Sequence, residues 1–307
     1  MRWYKEIFYF AWHFGLRAMW EIAICPRLFK SQARSNGILS FLERVSEERM
    51  NELRSKTLKQ ELGDLSEECN IWVCWLQGEA NMPSTIKMCY DSLLRNKGRH
   101  KVILITNDNL NDYVSLPEHI ISKHDNGIIS NPHYSDIIRC YLLWKYGGIW
   151  IDAAIFVLNR IEVKKGFFTL RISDVKSFNI KWAIQYMMSE KGFYLFDFLY
   201  EYLVEYWRLY NKPIDYLLLD YVFELAYRNN SDIKRIIDEI PLNNTDLHRS
   251  RYLFNEKCDE NVFQQFIQNN TFLSLTWRFN YDTITKDGAL TYYGRLLQEF
   301  EDKKNNH

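Results

Sequence analysis

Asp136, Arg139 and Asp152 are the residues of this chain whose types and spacing best suit them to chemistry. They lie in YSDIIRCYLLWKYGGIWIDAAIFV, Tyr134 to Val157, where polar groups interrupt an otherwise apolar run. An aspartate and an arginine three positions apart neighbour each other on a helix. A carboxylate toward the end of a buried strand is costly without a partner. At the carboxyl ends of strands in open α/β sheets, where ligands gather, its partner can be a cation, a ribose hydroxyl or a sugar. Asp220 is a further acid inside an apolar helical stretch, LLLDYVFELA. Burial there would raise its pKa, as a general base requires.

These residues need a helix, a turn and a strand to position them. Ile137, Ile138, Tyr141, Leu142 and Trp144 recur at three- and four-residue spacing, so a helix with one buried face is predicted over 134–146. Gly147-Gly148 supplies its C-cap, and Ile149-Trp150-Ile151 opens a strand, predicted over 149–157, with Asp152 toward its far end. Strands at 71–76 and 101–106 flank a helix at about 84–95, which gives a βαβ rhythm and a mainly parallel sheet. Further strands are predicted at 167–172, 182–188 and 271–277, with helices at 193–210, 215–227, 231–240, about 261–268 and 290–300. The aromatics between Phe193 and Tyr210 fall at helical spacing, which reads as core rather than as a sugar platform. Trp75, Gln77 and Gly78 stand at the exit of the first strand and Asn107 at the exit of the second. A glycine there admits close backbone approach to a ligand.

Bulk properties exclude several classes. The 307 residues, 47% hydrophobic, are enough for a large core. Lysine plus arginine and aspartate plus glutamate both number 39, so no global field favours nucleic acid. Cys25, Cys69, Cys74, Cys89, Cys140 and Cys258 show no C-x-x-C spacing, and His124, His133 and His248 no metal-ligand spacing, which fits a reducing cytoplasm and no zinc site. Residues 3–24 are aromatic-rich, but Lys5, Glu6, His13, Arg17 and Glu21 leave no apolar run of the ~18–20 residues that cross a bilayer. A stripe of Trp3, Tyr4, Ile7, Phe8, Ala11, Phe14 and Ala18 either lies in a membrane interface or packs on the rest of the chain. Ser40 to Leu62 reads as a second, charged helix. The division is an N-terminal helical segment, 1–69, and a main domain, 70–307.

S-D-x-x-R followed by Y-G-G-x-W-x-D resembles the donor block of bacterial capsular polysaccharide synthesis glycosyltransferases of the GT-A fold. IWVCWLQG with Pro83, KVILITN at 101–107, Gly127-Ile128-Ile129-Ser130 and IDYLLLDY at 214–221 are similar to other blocks of that group, in order, over roughly 70–300. The resemblance implies a GT-A-like, Rossmann-type α/β fold. It also implies transfer of a hexose from a nucleotide diphosphate sugar, UDP-linked, to a lipid-linked oligosaccharide, in the cytoplasm or peripherally on the inner face of the membrane. Together with the reading of the residues above, it makes Asp152 and Asp220 the catalytic acids and places Trp75, Gln77, Gly78, Asn107, Asp136, Arg139 and Gly148 around the donor, to which Arg278 is added by its position after the last strand. The D-x-D of such enzymes stands here as Asp152-Ala153-Ala154. Asp152 is thus the one acid left to hold Mn²⁺ or Mg²⁺, and Arg278 could meet the diphosphate instead.

Two other classes stay open at this level. A non-catalytic sugar-binding relative would account for Ala154. A nucleotidyltransferase would need a glycine-rich, lysine-bearing phosphate loop, which QGEANMP at 77–83 is not.

Overall fold

The computed structural model describes residues 2–24, 32–59, 61–63, 65–172 and 182–305. Helices α1 (Arg2–Ala18), α2 (Gln32–Val45) and α3 (Glu47–Ser55) come first. Then strands and helices alternate: β1 (Asn70–Cys74), α4 (Ser84–Asn96), β2 (Lys101–Ile105), α5 (Glu118–Asp125), α6 (Asn131–Tyr146), β3 (Gly148–Ile151), β4 (Ile155–Val157), β5 (Phe168–Arg171) and β6 (Trp182–Ser189). The chain continues through α7 (Tyr194–Leu209), α8 (Leu218–Asn229), α9 (Ser231–Glu239), α10 (Glu260–Asn269), β7 (Phe272–Ser274) and α11 (Tyr292–Asn305).

The main sheet has the order β2-β1-β3-β6-β5. β1 runs parallel to β2 and β3, whereas β6 is antiparallel to both β3 and β5. The parallel part follows from the βαβ connections through α4 and α6; β5 forms the outer edge, and β6 returns antiparallel between it and β3. Side-chain alternation assigns each face. Trp72, Trp150, Trp182 and Met187 point into a core shared with α6, α7 and α8. Ile71, Val73, Ile149, Ile151 and Tyr186 point the other way, into a core with Tyr90 and Leu93 of α4 and Phe272 of β7. Both faces are covered, as parallel strands demand. The indoles of Trp72, Trp150 and Trp182 are each 1% exposed, and burying an aromatic of that size stabilises the fold by about 2–3 kcal/mol.

The strand predicted over 149–157 is two strands. β3 ends at Ile151, the chain turns at Asp152-Ala153-Ala154 with the Ile155 amide donating to the Asp152 carbonyl at 2.9 Å, and β4 pairs with β7 in a separate two-stranded sheet. An apolar run gives no sign of a change of sheet, because both strands are buried. The predicted charged helix at 40–62 is likewise α2 and α3, broken at Ser46 and left at Lys56 in an extended conformation. Ile38, Leu42, Met50 and Leu53 share one core with Tyr202 and Phe223, and the Asn230 side chain donates to the Leu53 carbonyl at 2.9 Å. The aromatic run of α7 is core: Phe196, Phe198, Tyr202, Tyr206 and Trp207 are buried.

Candidate functional site

The helix that carries Asp136 and Arg139 starts where the sequence is best equipped to start one. Pro132 sits in the first turn of α6, where no amide hydrogen is needed, and the Ser130 hydroxyl meets His133 Nδ1 at 2.9 Å. Gly147 ends it with φ 65°, and Gly148 follows with φ 99°. A Cβ at Gly147 would overlap the Glu190–Lys191 backbone, and one at Gly148 the Asn70 carbonyl. This turn sends the chain straight from α6 into β3, with Trp72 Nε1 donating to the Gly147 carbonyl at 2.8 Å.

Trp150 and Asp152 are two residues apart and so point to the same side of the strand. That side faces α6. There the Arg139 guanidinium donates to Asp152 Oδ1 at 2.9 Å and to the Ile184 carbonyl at 2.8 Å, lies 3.2 Å from Asp136 Oδ1, and sits over the Trp150 ring at 4.9 Å. Trp150 Nε1 donates to the same Asp152 oxygen at 2.7 Å. The Asp152 amide donates to the Gln185 carbonyl at 2.9 Å, fixing the start of the turn to β6. The constellation lies between the carboxyl ends of β1 and β3, where the connections from β1 and to β3 leave in opposite directions.

Electrostatics follow from one guanidinium facing several acids. Burial works against the Arg139 charge, but the Asp152 and Asp136 carboxylates outweigh it and hold the group above its ordinary value. Burial also raises the acids. Asp136 is pushed up to about 6, with Arg139 opposing and Asp152 adding. Asp220, in the first turn of α8, is pushed up to about 7 by burial and then by repulsion from Asp136, against the pull of Arg139. Asp152 is raised by burial and restrained by Arg139 and the Trp150 N–H. The Asp136 and Asp152 side chains keep 16% and 29% of their surface in solvent, whereas Arg139 keeps 5%. The acids therefore reach the cleft, and the arginine holds them from behind.

The structure brings together Asp136, Arg139, Asp152 and Asp220. Arg139 has its terminal nitrogens engaged and 4% of the residue exposed, so it faces the carboxylates rather than open solvent. Gly148 is a correction. It opens β3 against Asn70, at the opposite end of the strand from Asp152, so its need for glycine is packing. Trp75, Gln77 and Gly78 leave β1 at the site edge. Pairing continues past the regular strands, with Trp75 N to Ile105 O at 3.0 Å and Asn107 N to Leu76 O at 2.9 Å, so Asn107 borders the same edge. Trp75 Nε1 is buried without a hydrogen-bond partner, and Gly78, at φ 81°, faces open space. Arg278 follows β7, whose end is tied to the turn by Leu275 N to Ala154 O at 2.9 Å; its guanidinium lies over Trp277 and has no ion pair among the described residues.

Sequence reasoning missed Trp150, Ile184 and Gln185, whose side-chain Oε1 is also buried and unpartnered. Trp150 was reachable, since strand period two places it beside Asp152. Nothing local marks Ile184 and Gln185, which arrive through antiparallel pairing with a distant strand.

The donor set does not fit a divalent ion held by the protein alone. Asp152 Oδ1 is taken by Arg139 and Trp150, Ala154 offers no oxygen donor in its side chain, and the described residues form no group of three His, Cys, Asp or Glu side chains placed around a common ion. A cleft of about 850 Å³ exists elsewhere, lined by Lys164, Phe168, Tyr186, Glu239, Asn243 and Phe272, and none of the acids above borders it. Its size alone does not outweigh the carboxylate geometry.

Residues 24–296 match the family described as "Capsular polysaccharide synthesis protein". The chain belongs to that family. Among curated proteins, this capsular polysaccharide synthesis protein is 30% identical over 102 residues to the "O-glycosyltransferase braB" of Annulohypoxylon truncatum, a match covering 30% of this chain and 24% of that protein. The chain thus aligns with about a quarter of that relative's length. Among solved structures it is similar to "PaToxG Glycosyltransferase" at 13% identity and a TM-score of 0.41, covering 67% of this chain and 84% of the other. The α/β architecture of the family member itself is the one described above.

Proposed function

We propose that this capsular polysaccharide synthesis protein is a glycosyltransferase that moves a hexose from a nucleotide diphosphate sugar, UDP-linked, to a hydroxyl of a lipid-linked oligosaccharide, on a GT-A-like fold. One observation carries the reading. Two partly open carboxylates, Asp136 and Asp152, are held by a single buried arginine at the exits of β1 and β3. In this reading the base and ribose lie along Trp75 to Gly78 and Asn107, where the lack of a side chain at Gly78 leaves open space beside the backbone. Asp152 turns its second oxygen to the sugar hydroxyls. Arg278 approaches the diphosphate, whose charge as leaving group must be stabilised in the transition state. The acceptor enters past α8, beside Asp220. No described helix is long and apolar enough to cross a membrane, so contact with a lipid carrier in this account is peripheral, at the inner face.

A nucleotidyltransferase reading loses support from Lys87, the nearest lysine after the first strand. It is tied to Asp91 and, at 3.4 Å, to Glu79.

Slow hydrolysis of a panel of nucleotide sugars tests the proposal. Full-length protein consumes one donor in preference to the rest, and EDTA reduces the rate by no more than about twofold, because Arg278 rather than a caged ion faces the diphosphate. Binding without turnover, even with acceptor present, would indicate a non-catalytic relative. Neither binding nor turnover of any donor would end the proposal.

A second prediction concerns pH. With Asp220 as the base, transfer rises through pH 7 as its carboxylate, pushed up to about 7 by burial and Asp136, loses its proton. Asp220→Asn abolishes that limb and slows transfer by ~10²-fold or more. The stability sign is opposite. A carboxylate raised in the folded state favours folding below its unfolded value and loses that contribution as pH climbs from ~4 to about 7. Asp220→Asn therefore melts higher than wild type at pH 8 and like wild type at pH 4. A slower variant that also melts lower at pH 8 would point to a structural role.

A further inference from the structure

The N-terminal helix presents a ridge of exposed apolar side chains. Tyr4, Phe8 and Trp12, at intervals of four along α1 before its non-helical break at Gly15 (φ 86°, ψ 169°), and Leu16 and Trp20 beyond it, the latter in the π-helical turn Met19–Ile24, are 61, 72, 86, 73 and 53% exposed. Phe10, Ala18 and Ile22 are buried on the other side, and Phe14 packs edge-on against Phe41. The apolar stripe expected from periodicity is thus divided. Ile7 and Phe14 pack on the core, while Tyr4 and Phe8 join the outward ridge. The Trp3 side chain lies outside the described ones. Scattered apolar side chains on a surface are ordinary; five large ones exposed along one short segment mark an interaction.

We propose that this ridge docks the protein on an anionic bilayer surface, lying flat in the interface. Three observations choose a bilayer. The ridge combines tryptophan and tyrosine with Phe and Leu, and Trp and Tyr are the side chains that settle at headgroup level. Its charge is complementary: both acids of the segment are claimed by arginines, Glu6 by Arg34 at 2.6 Å and Glu21 by Arg44 at 2.7 Å and Arg17 at 2.8 Å. Lys5 is left exposed with no ion pair among the described residues. Anionic headgroups attract such cations. Finally, the helix adjoins the acceptor side of the site. Tyr9 donates to the Pro213 carbonyl at 3.2 Å, and Arg34 bridges Glu6 and, at 3.7 Å, Asp215. That segment carries Tyr216, 63% exposed, and runs into α8, whose first turn holds Asp220. Docking would hold the acceptor entrance near the lipid. That last step rests on the transferase reading; the docking itself does not.

The test uses the full chain with vesicles of phosphatidylcholine containing phosphatidylglycerol, and with phosphatidylcholine alone. Wild type sediments with the anionic vesicles, and brominated lipid quenches its tryptophan fluorescence. The triple variant Phe8→Ser, Trp12→Ser, Leu16→Ser binds them at least about tenfold more weakly. Its thermal midpoint and donor hydrolysis match wild type, because the three side chains face outward. Absence of vesicle binding by wild type, or equal binding by the variant, overturns the proposal. So does a wild-type dimer that the variant converts to monomer without any vesicle binding, since the ridge would then join two copies. Hydrolysis lost in both proteins with vesicle binding intact would count against the transferase reading alone.

Discussion

Asp152→Asn is expected to reduce donor hydrolysis and transfer by ~10²–10³-fold, the loss typical of removing one electrostatic group aimed at a reacting centre. The substitution is nearly isosteric. The amide oxygen of the introduced asparagine can still accept from Trp150 and Arg139, so the turn into β4 survives and the thermal midpoint falls by only a few degrees. What disappears is the second, solvent-reaching carboxylate oxygen and its charge. The loss should fall mainly on kcat, with nucleotide affinity within about threefold of wild type, because the proposed reading lays the nucleotide half of the donor along the exit of β1. Equal loss of nucleotide binding would place Asp152 on the nucleotide rather than on the sugar.

Arg139→Met carries the largest effect on stability. Methionine fills much of the volume over Trp150 but leaves Asp136, Asp152 and Asp220 with no cation among them. Breaking a buried pair from one side costs about 3–5 kcal/mol. The cost has a pH signature. At pH 5 the acids, already raised by burial and mutual repulsion, take up protons and relieve the charge. At pH 8 they cannot, so the gap between variant and wild type widens as pH rises. Asp152→Asn added to Arg139→Met should recover about 1–3 kcal/mol at pH 8 by removing one of the stranded charges. Urea titrations of the four proteins at both pH values measure this. A pH-independent loss with no recovery would mean that Arg139 acts by packing alone.

Most of the frame of this site is legible from local patterns, and the misses share a cause. The helix face of Ile137, Ile138 and Leu142, the double glycine and Ile149-Trp150-Ile151 each carry a periodic or conformational signal, and they put Asp136, Arg139 and Asp152 close together before any coordinates. The same glycines mislead in one respect. Gly148 neighbours Arg139 and Asp152 in sequence, which suggests a place among them, but a strand of four residues separates it from Asp152 and leaves it at the opposite end of β3. The break between β3 and β4 is invisible because both lie in apolar surroundings. The N-terminal helix exposes a different limit. It is apolar on two sides, and a helix of that kind shows its periodicity without saying which side meets solvent. Cys25 lies outside the described residues.

Hydrogen–deuterium exchange with and without the preferred nucleotide sugar tests the central claim most directly, because it sets the acid-lined edge against the cleft beside β5. The account predicts slower exchange of the backbone over residues 75–78, 106–108 and 152–155 on binding, with no change over 160–168 and 236–243. Protection confined to the walls of the 850 Å³ cleft would contradict it and move the donor to the β5 side of the sheet.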